Sequence, residues 1–246
     1  LDEYRAARKA AREAKKALED RLDELREVAE LADADLDADV GRIREPIEAY
    51  NDAIREEFTD FYNSASARDL FAFLDRADGT PFVDADVPPT DLREYVDEYA
   101  AGEEPLPTLL EYADYSNSKL EHYVDDPGAL RTAVAVHRTY AERLDAEPLT
   151  LDWPPASGDE LAYEIDELIP LVSRVAGDET VATLRSVRDC ARDDAYARRR
   201  RAAVVRDRLN EPDLELIRTG EVDDRLQTAE RTLAIAENVL AETKRE

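Results

Sequence analysis

Residues 178–209 read DETVATLRSVRDCARDDAYARRRRAAVVRDRL, and the reading of this stretch decides the fold. Val181, Leu184, Ala191, Ala195, Ala202, Val205 and Leu209 fall at the a and d positions of one heptad frame, with Arg188 and Arg198 interrupting the seam. A repeat of this kind predicts one long helix packed along another. The e positions of the frame, 185, 192, 199 and 206, are all arginine. Residues 221–245 answer with Val222, Leu226, Ala229, Leu233, Ala236 and Leu240 at a and d, and with Asp223, Glu230, Glu237 and Lys244 at e. In an antiparallel pair e faces e, so a single register brings Arg206 to Asp223, Arg199 to Glu230 and Arg192 to Glu237. Opposite charges beside an apolar seam select orientation and register. Each exposed pair contributes only about 0.2–1 kcal/mol, so this interaction ladder sets geometry more than stability. The expectation is an antiparallel coiled-coil hairpin of 178–209 with 221–245, joined by a turn at 210–220 containing Pro212 and Gly220. Its alanine-rich core buries little apolar area and calls for another surface.

Working outward, the chain reads as helices from end to end. In 1–31, Tyr4, Ala11, Leu18, Leu22 and Leu25 recur at helical spacing, with Arg8 and Lys15 weakening the seam. Residues 33–39 alternate aspartate with Ala and Leu as an acidic connector. A second helix follows, carrying Ile43, Ile47, Tyr50, Ile54, Phe58 and Phe61, with Pro46 in its first turn, where proline is tolerated. Segment 1–63 is therefore expected to form an N-terminal helical hairpin. Segment 64–156 concentrates proline and aromatics in shorter elements and reads as a compact helical subdomain. There Thr90 can cap a helix that Gly102 ends, Thr108 and Glu111 match a capping box for a helix to about 124, and Asp126-Pro127 open a helix to about 144. Pro148 to Ala156 reads as an extended connector. Segment 157–246 begins with a second capping box, Ser157 and Glu160, on an apolar helix that Pro170 is expected to kink or break. The fold class expected is all-α, with long antiparallel coiled-coil-like hairpins from both ends and a compact helical middle.

The chain has 246 residues and a net charge of −27, from 60 acidic and 33 basic side chains. Only five of the latter are lysines: Lys9, Lys15, Lys16, Lys119 and Lys244. Like charge at this density repels itself in dilute salt, while near 1 M salt the screening length falls to roughly 3 Å. Dispersed acidity with scarce lysine points to a cytoplasmic protein of a salt-accumulating halophile. The charge then reports adaptation to solvent and is no cue to basic partners. No basic start followed by an apolar stretch stands at the N-terminus, and no window reaches the ~20 apolar residues needed to span a bilayer, so neither a signal peptide nor membrane contact is expected. The absence of methionine, even at position 1, leads to the expectation that the numbering begins inside a longer reading frame or after processing.

Few residues suggest chemistry. The single cysteine, Cys190, excludes an internal disulfide. Asp33, Asp35, Asp37 and Asp39 lack the glycine and glutamate that a calcium loop requires: Ala38 and Arg44 stand there in one frame, Val40 and Pro46 in the other. The two histidines, His122 and His137, follow Lys119 and Val134 where a helical carboxylate metal site needs glutamate. There is no nucleophile elbow and no glycine-rich phosphate loop. The reading therefore assigns no catalytic residue, no metal and no cofactor, and expects no enzyme. In the run Arg198 to Arg201 the ladder already accounts for Arg199, and Arg198, Arg200 and Arg201 form a possible polyanion contact, although four consecutive helical residues point all round the axis and make no single strip.

In its acidic composition and heptads the chain resembles uncharacterised haloarchaeal proteins of helical, partly coiled-coil type. That likeness carries no specific motif and transfers no activity. The function expected is structural or scaffolding, through helix–helix contact with itself or a protein partner. The alternative is a nucleic-acid-associated accessory protein using Arg198 to Arg201. A third class is an enzyme with a pocket in 64–155.

Overall fold

The structure, a computed structural model, describes residues 2–242 and shows no strand among them. It opens with α1 (Asp2–Leu31), α2 (Gly41–Ser64), α3 (Ala67–Asp78), α4 (Thr90–Glu98) and α5 (Leu106–Ala113). Three short helices follow, α6 (Asn117–Leu120), α7 (Pro127–Leu130) and α8 (Arg138–Ala141), with a π-helical turn over Arg131–Ala135. The remainder is α9 (Gly158–Val175), α10 (Asp178–Ala191), α11 (Tyr196–Arg208), α12 (Glu211–Thr219) and α13 (Val222–Glu242). The all-α class is as the sequence indicates, and helices from the two ends of the chain do pair.

The partners differ from those expected. The chain divides into a terminal unit, Leu1–Val40 with Arg198–Glu246, and a central unit, Gly41–Ala197, in place of boundaries at 63/64 and 156/157. α1 packs along α13, while α2 packs on α10 and α9. The apolar face of α2, Ile43, Ile47, Tyr50, Ile54 and Phe58, is buried within the central unit.

The 178–209 helix is two helices. At 192–195 the carboxylate of Asp193 accepts from the Ala195 amide (2.7 Å), a local turn that competes with helix continuation. The Tyr196 hydroxyl then reaches the Ala156 carbonyl (2.8 Å). Gly158 lies so close to the end of α10 that a β-carbon there would stand 2.6 Å from the Ala191 carbonyl oxygen. Asn210 caps α12 by accepting from the Asp213 amide, with Pro212 in the first turn, so the expected loop at 210–220 is largely helix; Gly220 ends it at φ 69°.

Local signals elsewhere are mostly realised. Ser157 and Glu160 form both halves of the capping box, and Asp126 accepts from the Ala129 amide. Pro170 neither breaks nor ends α9, which runs on to Val175. Pro46 lies inside α2, beyond its first turn, because that helix begins at Gly41. The expected 108–124 helix stops at Ala113 and restarts at Asn117, and the one opened by Pro127 passes through the π-helical turn before α8. The connector after Pro148 is pinned from α2. Tyr50 donates to the Leu149 carbonyl (2.7 Å), and the Asn51 amide both donates to Leu151 O (2.8 Å) and accepts from Leu151 N (2.9 Å).

Candidate functional site

The two units differ sharply in charge. The terminal unit carries 24 acidic and 19 basic residues, the central unit 36 and 14. Most of the −27 therefore resides in the central unit, and the terminal unit is nearly balanced.

Within the terminal unit α1 and α13 run antiparallel. Lys15 pairs with Glu237 (2.9 Å) and Arg26 approaches Glu230 (3.9 Å), so rising numbers on one helix meet falling numbers on the other. Glu237 and Glu19 hold the Lys15 ammonium charged, above its ordinary range. Towards the C-terminal end of α1, Leu22, Leu25, Val28 and Leu31 are buried, and Leu31 shares a cluster with Ala34, Val205 and Leu214. Among the described side chains of α13 only Val222 is buried; Leu226, Ala229, Leu233, Ala236 and Leu240 are half-buried, and Ile235 is 64% exposed. The neighbour of α13 is α1, and the apolar residues of 222–240 are incompletely covered.

The expected ladder required 178–209 to be one straight helix, and two of its arginines have other partners. Arg192 joins Arg188 on Asp166 of α9 (3.2 and 2.6 Å). Arg206 donates to the Leu36 carbonyl (2.6 Å). Glu230 and Glu237 face α1, Arg199 is half-buried in α11, and Asp223 is exposed in the first turn of α13, where a negative charge suits the helix dipole. Lys244 lies outside the described residues, as do the side chains of Tyr4 and Arg8.

Two features that looked unrelated in sequence are partners. Arg201 donates to Asp33 and to the Glu30 carbonyl (both 2.7 Å), and Arg198 lies 3.5 Å from Asp35. Arg201 holds the Asp33 carboxyl below its usual range. Arg200 is half-buried beside them. The acidic connector thus engages two members of the arginine cluster, a pairing across more than 160 residues that only sign complementarity could have hinted at.

In the central unit, His137 and Asp91 form a pair (2.8 Å) joining α4 to the start of α8. A cavity of about 120 Å³ has an apolar floor that includes Phe58, Phe73 and Leu149, and its rim carries Asp84, Asp86, Asp145 and Arg143. Arg143 is 3.8 Å from Asp86. Among the described residues no group of three or more His, Cys, Asp or Glu side chains is placed to hold a metal ion. None of the described helices is long and apolar enough to cross a membrane.

Fold and surface together define an all-α protein whose end helices pair antiparallel and leave an apolar seam half open. The chain belongs to the family described as "Domain of unknown function (DUF7118)", whose model matches residues 1–240. No curated protein and no solved structure matches it.

Proposed function

We propose that the protein is a structural or scaffolding element that works through helix–helix contact, and that it is not an enzyme. The observation that carries this reading is the half-buried seam of α13. A helix with apolar residues on its open side is stable when that side is covered, and Ile235 stands exposed on the same helix as that half-buried seam. The Arg198 and Arg201 contacts with Asp35 and Asp33 occupy the cluster that nucleic acid would need, so the polyanion reading gains no support.

Affinity capture of the tagged protein in concentrated KCl, with and without nuclease, tests the reading. A protein partner that resists nuclease and is lost on Ile235→Asp is the expected result. A wild-type chain that is both monomeric and partner-free under these conditions defeats it. Because Ile235 is exposed, the substitution should leave helix content unchanged by circular dichroism.

The same proposal places the protein in a salt-rich cytoplasm, supported by the excess of 22 acidic residues in the central unit. Screening relieves that repulsion. The midpoint of thermal unfolding should therefore rise steadily as KCl is raised toward about 1 M and beyond, where the screening length is roughly 3 Å. A midpoint that is flat or falling across that range counts against the assignment.

A further inference from the structure

Residues 83–89, VDADVPP, hold neither helix nor turn. Val83 and Ala85 are buried while Asp84 and Asp86 are exposed, the period of two that marks an extended strand. Pro88 and Pro89 keep the residues before them extended. The chain enters this strand through Phe82, whose φ of 68° is strained for a bulky side chain. Its exposed ring rests edge-on against Tyr163 (5.5 Å). Strain of this kind persists where the surroundings hold it, and it gathers at binding sites. Among the described residues the amides of Asp84, Ala85, Asp86 and Val87 have no hydrogen-bond partner. The Tyr140 hydroxyl donates to the Asp86 carbonyl (2.9 Å). Successive residues of a strand turn their N–H and C=O groups to opposite edges, so Tyr140 takes the edge of Asp86 and leaves that of Ala85 open.

The same strand walls the cavity of the central unit. Phe58, Phe73, Leu74, Ala77 and Leu149, all buried, make there an apolar well of about 120 Å³. An apolar cavity of about 150 Å³ takes up benzene, so this one suits a single branched aliphatic side chain. A wider cleft of about 610 Å³ shares Asp84, Asp86 and Arg143 with the well, and its other side is formed by residues 142–148. Arg143 approaches Asp86 across the mouth (3.8 Å), an exposed pair that is easily opened.

We propose that this cleft binds an extended peptide by β-augmentation: the peptide pairs its backbone with residues 84–87 and inserts one aliphatic side chain into the well. No strand exists among the described residues, so none of them competes for that edge. A two-stranded pair alone is marginal in water, and burial of the side chain supplies the rest of the affinity. A small apolar molecule would fill the well but leave the amides unpaired. A folded helix has no free backbone to offer. An unfolded segment of a partner satisfies both. Asp84, Asp86, Glu142, Asp145 and Glu147 surround the single Arg143, so an acidic segment meets like charge at contact and the preferred one is neutral or basic. That sign sets preference alone. Backbone pairing and apolar burial carry the affinity, and screening by concentrated KCl weakens neither. Prolines at one end and outward aspartates limit the edge to one added strand, which guards it against open-ended stacking. The site belongs to the central unit and goes beyond the scaffolding reading, which rests on α13.

Rhodamine-labelled, end-capped pentapeptides Lys-Thr-X-Thr-Lys, with X as Val, Ile, Leu, Met or Phe, are titrated against the full chain in concentrated KCl and followed by anisotropy. At least one should saturate below about 1 mM. Alanine at X should weaken that peptide about tenfold or more, the loss of one buried aliphatic side chain. Methylating alternate peptide amides separates backbone pairing from mere apolar contact. One alternate set should weaken binding about tenfold or more and the other leave it within about twofold, since only every second amide faces the partner strand. On the protein, Ala85→Pro removes an amide that has no partner among the described residues. It should weaken the peptide about tenfold, the loss of a ladder hydrogen bond, with circular dichroism unchanged. Saturation by none of the five peptides, equal loss from both methylated sets, a capped leucine amide that binds as tightly as the pentapeptide, or a folded Ala85→Pro that binds fully would each overturn the proposal. Ile235→Asp should bind the peptide as the wild type does. Failure of the peptide therefore leaves the α13 reading standing, and loss of the Ile235 contact leaves this site standing.

Discussion

Gly102→Ala should destabilise the central unit by about 3 kcal/mol, the upper end of what overpacking costs. Gly102 is buried in the tight turn Ala100–Glu103 that follows α4. A β-carbon there falls well inside van der Waals contact with the Val96 carbonyl, and close to the Arg68 guanidinium (3.1 Å). Arg68 itself closes the end of α4, donating to the carbonyls of Val96 (2.9 Å) and Tyr99 (3.2 Å) and pairing with Glu103. Backbone cannot swing aside as a flexible side chain can, so the added methyl displaces the turn and with it the arginine that satisfies those carbonyls. Urea unfolding followed by circular dichroism measures the loss. A change below about 0.5 kcal/mol, the range of an ordinary surface substitution, would show that the turn gives way without cost.

The second large effect is expected at Asn51. Its side chain holds the Leu151 amide and carbonyl as a neighbouring strand would, and Leu151 is 2% exposed. Asn51→Ala leaves both backbone groups without that partner, and an unsatisfied buried polar group costs about 1–3 kcal/mol. A destabilisation of about 2–4 kcal/mol is expected on that basis. Asn51→Asp should recover only part of it, since the carboxylate can accept from the amide but not donate to the carbonyl. Equal stability of Asn51→Ala and wild type would mean that the connector is held by Tyr50 and packing alone. Tyr50→Phe supplies the comparison, removing a single hydrogen bond from a fully buried site.

What the sequence made legible was local. Ser157 with Glu160 and Asp126 before Pro127 each encode structure within a few residues, and each is present. Long-range partner choice was not legible. The heptad frame of 178–209 described two faces that could continue one another, but Asp193 offered the backbone a competing turn, and nothing in a heptad says which distant helix will cover it. Charge matching in sequence assigned Arg192 and Glu237 to each other. Arg192 found Asp166 and Glu237 found Lys15, because ion pairs follow the packing of the large apolar residues more than they direct it. Pro170 shows the same order of precedence. Leu168, Leu171 and Val172 are buried around it, and their packing keeps α9 continuous through a residue that alone would interrupt it.

The division of the chain also bears on how the molecule comes into being. The terminal unit is assembled from the first 40 residues and the last 49, with the whole central unit encoded between them. On a ribosome adding about 5–20 residues per second, α1 waits roughly ten seconds or more for α13 to emerge, while the central unit has its entire sequence available first. During that interval the leucines that later meet α13 have no helix to cover them. The dense alternation of Lys, Arg and Glu along α1, with in-helix pairs such as Lys15–Glu19 and Arg21–Glu24, gives the nascent helix its own solvation until its partner is made.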